Sequence, residues 1–588
     1  MLSNQMRFHS STIHAAILIL ICLPYCINLG ESSIWNASEA FYAETPREML
    51  VTGNYLAPQF NFQPRVQKPP LTYWAILASY KVFGVNEFAV RLPGALAAIG
   101  MVLFCYGTAR LLFGPRAALT AAIISATTPR AFILARKLPI DILLLFFLSA
   151  SLFFLIRAVN KRESFSWYAL YICLSLGFLT KGPIAVIIPA ASFFIWTLWS
   201  RRFRISEIHL LPGILIFAAI SLPWYVLIFQ AHGWTYIAPF FLKDNLGRFI
   251  VETMGPSRGL FYYFSVYGTD FFPWSLLALY AAYVLWMGRK KNPPINNLSF
   301  GFPIIWCLLI FVMFSLSKNK QEYYIAPIYP AAAVIISGVL EKILFKERLN
   351  LPKRKDRNGA GMQSENTSVS IPTRRPVDIA WFYSLFALVF FLMAVTLPYI
   401  LHSFMPDASL VLHYAPSLVF IVGSFFLIFS IVRRKPLQCF SALAIPLWII
   451  YLMGSVFYVP ALESFRPIKS FCQLIEANAH TGDEAGYFRT AVPSMVYYLR
   501  RPIFQVSDYR QMERKFRSDK GIFCILAEQD YEYFANRGLV IHILDRRSRF
   551  TVRFGDLLNA GYSPGEELLL VSNRSYPETE PDEGLPTS

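Results

Sequence analysis

Apolar runs of roughly 17 to 25 residues recur through most of this chain, each long enough to cross a bilayer as a helix. Beyond a first run at residues 13–29, they fall at 90–112, 117–134, 140–156, 167–179, 184–199, 210–229, 260–286, 302–316, 324–344, 379–401, 417–432 and 440–459. No water-soluble fold buries so many, because each would need its own apolar surroundings. The predicted fold class is therefore an all-α polytopic membrane protein with about thirteen transmembrane helices. Composition agrees, since 55% of the 588 residues are hydrophobic and only 15% are charged. The first run follows Arg7 and His9 but lacks well-placed small residues for cleavage, so it reads as an uncleaved helix.

The net charge of +18 would point to nucleic acid in a soluble protein, but here it is a topology signal. With a cytoplasmic N-terminus, Arg110 and Arg116, then Arg157, Lys161 and Arg162, then Arg201, Arg202 and Arg204 all fall inside. So do Arg289 to Lys291, the basic residues between Lys346 and Arg375, and Arg433 to Lys435. Arg136 and Lys137 are the exception to the positive-inside rule. An odd number of spans then puts the C-terminus outside. The same cations suit anionic lipid head groups and phosphate.

Four regions follow from this pattern. Residues 1–344 form a transmembrane core that includes a polar outside loop at 31–81, and residues 345–378 form a basic, flexible cytoplasmic linker. Residues 379–460 add the last transmembrane helices, and residues 461–588 read as a small extracytoplasmic α/β domain. In that domain, helices are expected at 470–479, 509–516 and 529–536, with strands at 503–506, 521–526, 539–544 and 568–571. The acidic tail at 577–588 is expected to fray. The eight cysteines show no metal or redox spacing, and Cys472 and Cys524 are the one pair placed for an extracytoplasmic disulfide.

Several polar residues fall on the expected outside face. In the first loop Glu39, Glu44 and Glu48 offer a general base or ion-pair partners, and Arg47 is positioned to pair with one of them. Lys68 precedes two prolines that stiffen the backbone, which suits a phosphate clamp or an interfacial anchor. Asp141 opens an apolar helix, as a helix N-terminal stabiliser or as a functional carboxylate. Lys181 precedes Gly182-Pro183 in a tight turn, Lys318 and Lys320 stand beside Tyr323 and Tyr324, and Asp244, Asn245 and Arg248 share a long aromatic loop. Three loops that bring cations to one membrane face fit a lipid-linked phosphate better than three separate anchors.

These residues resemble the GT-C fold, polyprenyl-phosphate-sugar-dependent glycosyltransferases, in the branch of lipid A aminoarabinose transferases and protein O-mannosyltransferases. The resemblance rests on Glu39-Ala40-Phe41-Tyr42-Ala43-Glu44, Arg47-Glu48-Met49-Leu50, Lys68-Pro69 with Tyr73-Trp74, and Ala89-Val90-Arg91-Leu92-Pro93. It continues in order through Asp141-Ile142-Leu143, Leu179-Thr180-Lys181-Gly182-Pro183, Pro223-Trp224-Tyr225, Asn245-Leu246-Gly247-Arg248-Phe249 and Ser317-Lys318-Asn319-Lys320 to Tyr323-Tyr324-Ile325-Ala326-Pro327.

The resemblance implies transfer of a sugar from an undecaprenyl-type phosphate to a cell-envelope acceptor, lipid A or another glycolipid, at the periplasmic face of a bacterial inner membrane. Lys68, Arg248 and Tyr324 would hold the lipid phosphate with Lys181 nearby, and Asp141 would help shape the site. A protein O-mannosyltransferase, and a non-catalytic binder or translocase of the same lipid, are the alternatives. The chain departs from the family pattern at Ser38, where relatives have an Asp base, and at Phe41, where they have an Arg. Gln67 and Asn245 replace the Glu and His of metal-binding relatives, so no metal is carried over. Glu39 is the substitute base, and an acceptor that is itself an ionised phosphate needs none.

Overall fold

The computed structural model describes residues 2–35, 38–65, 67–137, 139–200, 205–247, 250, 258–288, 298–345, 379–405, 408–548 and 567–576. The linker and the acidic tail singled out in the sequence lie outside these residues.

Helix α1 (Leu2–Cys26) leads into the segment expected to lie outside, which is structured rather than an open loop. It contains α2 (Ser38–Thr52), a hairpin of β1 (Gln59–Phe60) and β2 (Gln63–Pro64), and α3 (Leu71–Phe83). Helix α2 is polar in composition, yet Glu39, Glu44, Arg47 and Glu48 are all buried along it, which requires that they pair.

The membrane core follows as α4 (Glu87–Phe113), α5 (Pro115–Ala126), α6 (Pro129–Lys137), α7 (Pro139–Lys161), α8 (Ser164–Lys181), α9 (Ile184–Ser200) and α10 (Leu210–His232). After the short α11 (Trp234–Ala238) and a π-wound turn (Pro239–Gly247) come α12 (Tyr262–Asp270), α13 (Trp274–Gly288), α14 (Leu298–Leu316) and α15 (Ile328–Phe345). The last membrane helices are α16 (Ile379–Phe404), α17 (Leu410–Val432) and α18 (Pro436–Met453). Among the described residues seven helices are long and apolar enough to cross a membrane, or up to nine if each bent pair counts as one span.

Two runs expected as single spans are bent. At residues 117–134 the chain turns by 59° between α5 and α6. There Thr127 and Thr128 hydroxyls donate back to the Ile123 and Ile124 carbonyls, and Pro129 starts the new helix without an N–H to give. At residues 260–286 the turn is 111° between α12 and α13, where Pro273 likewise interrupts the ladder. Both bends lie beside charged residues, Arg130 and Asp270, that a straight apolar span would leave in hydrocarbon.

The C-terminal segment carries α19 (Pro467–Asn478), α20 (Ser494–Leu499), α21 (Tyr509–Phe516), α22 (Glu528–Ala535) and a five-stranded sheet. Its strands are β3 (Glu484–Phe488), β4 (Phe504–Val506), β5 (Ile522–Ala527), β6 (His542–Ser548) and β7 (Glu567–Ser572), in the order β4-β3-β5-β7-β6. The first three are mutually parallel, and β7 runs antiparallel to β5 and β6. Strand β3 and α20 were not legible in sequence; β3 is buried on both faces and lacks an alternating pattern. Cys472 and Cys524 are free thiols. Cys472 packs with Phe523 and Ile525 on one face of the sheet, and Cys524 with Phe488 and Met512 on the other, so the sheet itself separates them.

The segment between α1 and α4 clasps this C-terminal unit. Asn61 at the hairpin tip exchanges two hydrogen bonds with the Ile503 backbone, each 2.9 Å, and Tyr497 of α20 packs among the buried residues of α2 and α3. Lys469 pairs with Glu87 at 2.9 Å, and the Ser33 N–H donates to Glu463 at 2.9 Å.

Beneath that contact, burial and the neighbouring Glu44 carboxylate push the Glu48 carboxyl up to about 8, while the Phe62 N–H donates to its Oε2. Glu48 is an ordinary carboxylic acid when unfolded. Between the ordinary glutamate value of 4.5 and about 8 the folded chain therefore holds a proton that the unfolded chain has lost. Stability from this group is full below that window, falls as pH rises through it and is level above it. Glu48→Gln is expected to flatten this fall, read as melting temperature against pH in detergent. A slope unchanged in the variant would place the titration elsewhere.

Candidate functional site

A cavity of about 150 Å³ opens between α7, α8, α9, α14, the π-wound turn and the segments that precede α3 and α15, and its polar lining is Lys68, Asp141, Lys181, Asp244, Ser317, Tyr323 and Tyr324. Its apolar wall is Leu144, Ile184, Met313, Phe314, Ala326 and Pro327.

Each polar group is fixed by local structure. Lys68 follows the hairpin and precedes the Pro69-Pro70 step into α3, and its Nζ lies 3.7 Å from Asp244 Oδ2 on the π-wound turn. Asp141 stands in the first turn of α7, where the helix dipole favours a carboxylate. Lys181 is the last residue of α8, where the dipole favours a cation, and it forms an ion pair with Asp141. Gly182 ends α8 at φ +83° with its N–H on the Phe178 carbonyl at 2.8 Å, and a Cβ there would meet the Phe240 ring at 2.5 Å. A glycine is thus required both by the turn and by the close approach.

The two tyrosines come from a 3₁₀ turn (Glu322–Ile325) between α14 and α15. The Lys181 ammonium lies 5.3 Å from the Tyr323 ring centroid and 5.4 Å from that of Tyr324. The turn is held from behind. Arg130 forks onto Asp270 at 2.6 and 2.8 Å and reaches Glu322 at 3.0 Å, Tyr263 donates to the Gln321 carbonyl at 3.0 Å, and Arg258 donates to the Lys320 carbonyl at 2.9 Å. Sequence reading passed over Arg130 and Asp270, although ionisable residues inside apolar runs are themselves a signal.

The structure brings together Lys68, Asp141, Lys181 and Tyr324 of the expected site residues. It places the others differently. Glu39 accepts from Arg91 Nε at 2.6 Å and from the Trp35 N–H at 2.7 Å, and is buried away from the cavity lining. Glu44 and Arg47 form a buried bidentate pair at 2.6 and 2.7 Å within α2. Lys318 is exposed and outside the lining, while Lys320 turns inward to donate to the Ser317 carbonyl at 2.6 Å. Arg248 lies outside the described residues, as does the side chain of Asn245. Gln67 is exposed. Among the described residues no three His, Cys, Asp or Glu side chains converge as a metal site would need.

Chemically, this is a small site with two ammonium groups, each beside one carboxylate, and two phenols around them, backed by an apolar wall. Such a site takes an anion by letting it share the lysines with their carboxylates, and takes an apolar chain along the wall.

Residues 67–226 match the family model described as dolichyl-phosphate-mannose-protein mannosyltransferase. An uncharacterised protein of Aquifex aeolicus (strain VF5) is 30% identical over 337 residues, 57% of this chain and 65% of that protein. The undecaprenyl phosphate-alpha-4-amino-4-deoxy-L-arabinose arabinosyl transferase 2 of Pseudomonas fluorescens is 28% identical over 333 residues, 56% of each chain. The chain thus spans less than two thirds of either relative's length. The crystal structure of ArnT from Cupriavidus metallidurans bound to undecaprenyl phosphate superposes with a TM-score of 0.70 at 18% identity, covering 96% of this chain and 98% of that one.

Proposed function

The chain belongs to the GT-C glycosyltransferase family, and from that premise we propose that it transfers a sugar from a polyprenyl phosphate, of the undecaprenyl type, to lipid A or another envelope glycolipid. The observation that carries this reading is the cavity itself, with Lys68 and Lys181 at its polar end and Leu144, Ile184, Met313 and Phe314 as its wall. A polyprenyl phosphate has that same division between an anionic head and an apolar tail.

In this reading Lys68, Lys181 and Tyr324 hold the donor phosphate, with Arg248 joining them, and Asp141 orients Lys181. An acceptor oxygen attacks the anomeric carbon, the bond from that carbon to the phosphate oxygen breaks, and polyprenyl phosphate departs with its charge neutralised by the lysines. A phosphate monoester acceptor arrives ionised, so no base is needed. That fits the pairing of Glu39 with Arg91 and the presence of Ser38, which bears no carboxylate. A serine or threonine acceptor would need a base. The same reading takes the chain as a multi-pass inner-membrane protein of about thirteen spans, with the cavity and the C-terminal sheet on the periplasmic side.

The test is purified protein in detergent with a radiolabelled undecaprenyl-phosphate aminoarabinose donor and lipid A. The expected result is label in the lipid A fraction. Donor binding without transfer to any envelope lipid or protein would support a binder or translocase instead, and transfer to protein alone would support O-glycosylation.

A further inference from the structure

Resting on the reading above, we propose that Arg65 binds the anionic group of the acceptor, a phosphate monoester, and so selects phosphorylated glycolipids. Arg65 stands three residues before Lys68, at the end of the hairpin that follows α2. Its backbone is pinned on both sides, the N–H donating to the Pro58 carbonyl at 2.8 Å and the carbonyl accepting from Tyr236 at 3.3 Å. The side chain is pinned as well. Its guanidinium carbon lies 4.0 Å from the centroid of the Phe41 ring, and Nε donates to the Tyr73 hydroxyl at 3.2 Å.

What remains is the other end of the fork. Among the described residues neither Nη1 nor Nη2 has a hydrogen bond, and no carboxylate lies within ion-pair distance of the guanidinium. Each cavity lysine, by contrast, has a carboxylate beside it. An arginine immobilised on an aromatic face with two parallel donors unused is preorganised for a planar, bidentate oxyanion contact, and little rotamer entropy is left to lose on binding.

Its place is beside the cavity, on the α2 side. The Tyr42 ring stacks on Tyr73 with centroids 5.5 Å apart, and the Tyr42 hydroxyl feels Arg65, Asp141 and Tyr323 together. Of the two cavity lysines, Lys181 ends α8 and Lys68 follows Arg65 by three residues, and each already has a carboxylate beside it. The Arg65 fork is thus a cation beside the cavity that no carboxylate among the described residues neutralises, and the charge it lacks is the one an ionised acceptor brings.

The experiment titrates purified wild type, Arg65→Ala and Arg65→Lys with a monophosphorylated lipid A and with the same lipid after phosphatase treatment, and in parallel with undecaprenyl phosphate. Wild type is expected to prefer the phosphorylated lipid by about tenfold or more, Arg65→Ala to lose that preference, and Arg65→Lys to keep part of it. Undecaprenyl phosphate affinity is expected to stay within about twofold in both variants. The proposal is overturned if wild type shows no preference, if Arg65→Ala retains it, or if Arg65→Ala weakens undecaprenyl phosphate as much as the acceptor. Loss of undecaprenyl phosphate binding in wild type would instead sink the donor reading, so the two failures are distinguishable.

Discussion

Lys181→Ala is expected to weaken undecaprenyl phosphate binding by at least about tenfold and to lower sugar transfer by about a hundredfold or more. The reason lies in the balance of charge. Lys68 and Lys181 are matched by Asp244 and Asp141 in the described lining, so removing one ammonium leaves a carboxylate facing the incoming phosphate. The loss combines a missing charge-assisted contact with a new repulsion, and transfer suffers further because negative charge grows on the departing phosphate oxygen. Asp141→Asn reverses the first effect. It frees Lys181 from its partner, so phosphate binding is expected to hold or tighten, while transfer falls because the ammonium is no longer oriented. Isothermal titration and a transfer assay on the two variants check this. Unchanged phosphate affinity in Lys181→Ala would remove that lysine from the site.

Arg91→Met is expected to destabilise the protein by about 3–5 kcal/mol, the usual result of stripping one partner from a buried ion pair. Arg91 is 4% exposed and Glu39 is 2% exposed. Besides Glu39, the guanidinium serves the Leu29 and Ser32 carbonyls, each at 2.7 Å, and the Ser33 carbonyl at 2.9 Å. It therefore ties the segment after α1 to both α2 and α4. Glu39→Gln keeps the shape but removes the charge, and it is expected to lower the melting temperature while retaining transfer per folded molecule. Thermal unfolding in detergent beside specific activity separates the possibilities. A Glu39→Gln protein with wild-type melting and no turnover would restore Glu39 as a proton acceptor.

These two cases show where sequence reasoning reached and where it stopped. Lys68, Asp141, Lys181 and Tyr324 were legible because each stands at an element boundary where an apolar run gives way to a polar turn, and such positions can be found from one-dimensional pattern alone. Glu39, Glu44 and Arg47 carry the same kind of signal, a charge beside a membrane, yet they are consumed by partners. Arg91 is 52 residues from Glu39, and Tyr497, which packs on the same helix, comes from the far end of the chain. Nothing in local sequence says which carboxylate is paired and which is left to face a cavity. The 3₁₀ turn bearing Tyr324 is likewise held by Arg130 and Asp270, 140 residues apart.

The sequence by itself determined that this chain is a many-helix membrane protein, where its apolar runs lie, and which cations flank those runs in the connecting loops. Those properties follow from hydrophobic length and from charge bias, which are additive along the chain. Only the tertiary structure decided that Lys68 meets Asp244 and Lys181 meets Asp141, that two apparent spans bend at Pro129 and Pro273, and that the segment between α1 and α4 clasps a C-terminal sheet. Pairing and burial of charge depend on which distant groups arrive together, because a charge removed from water must be matched by whatever the fold places within a few ångströms of it.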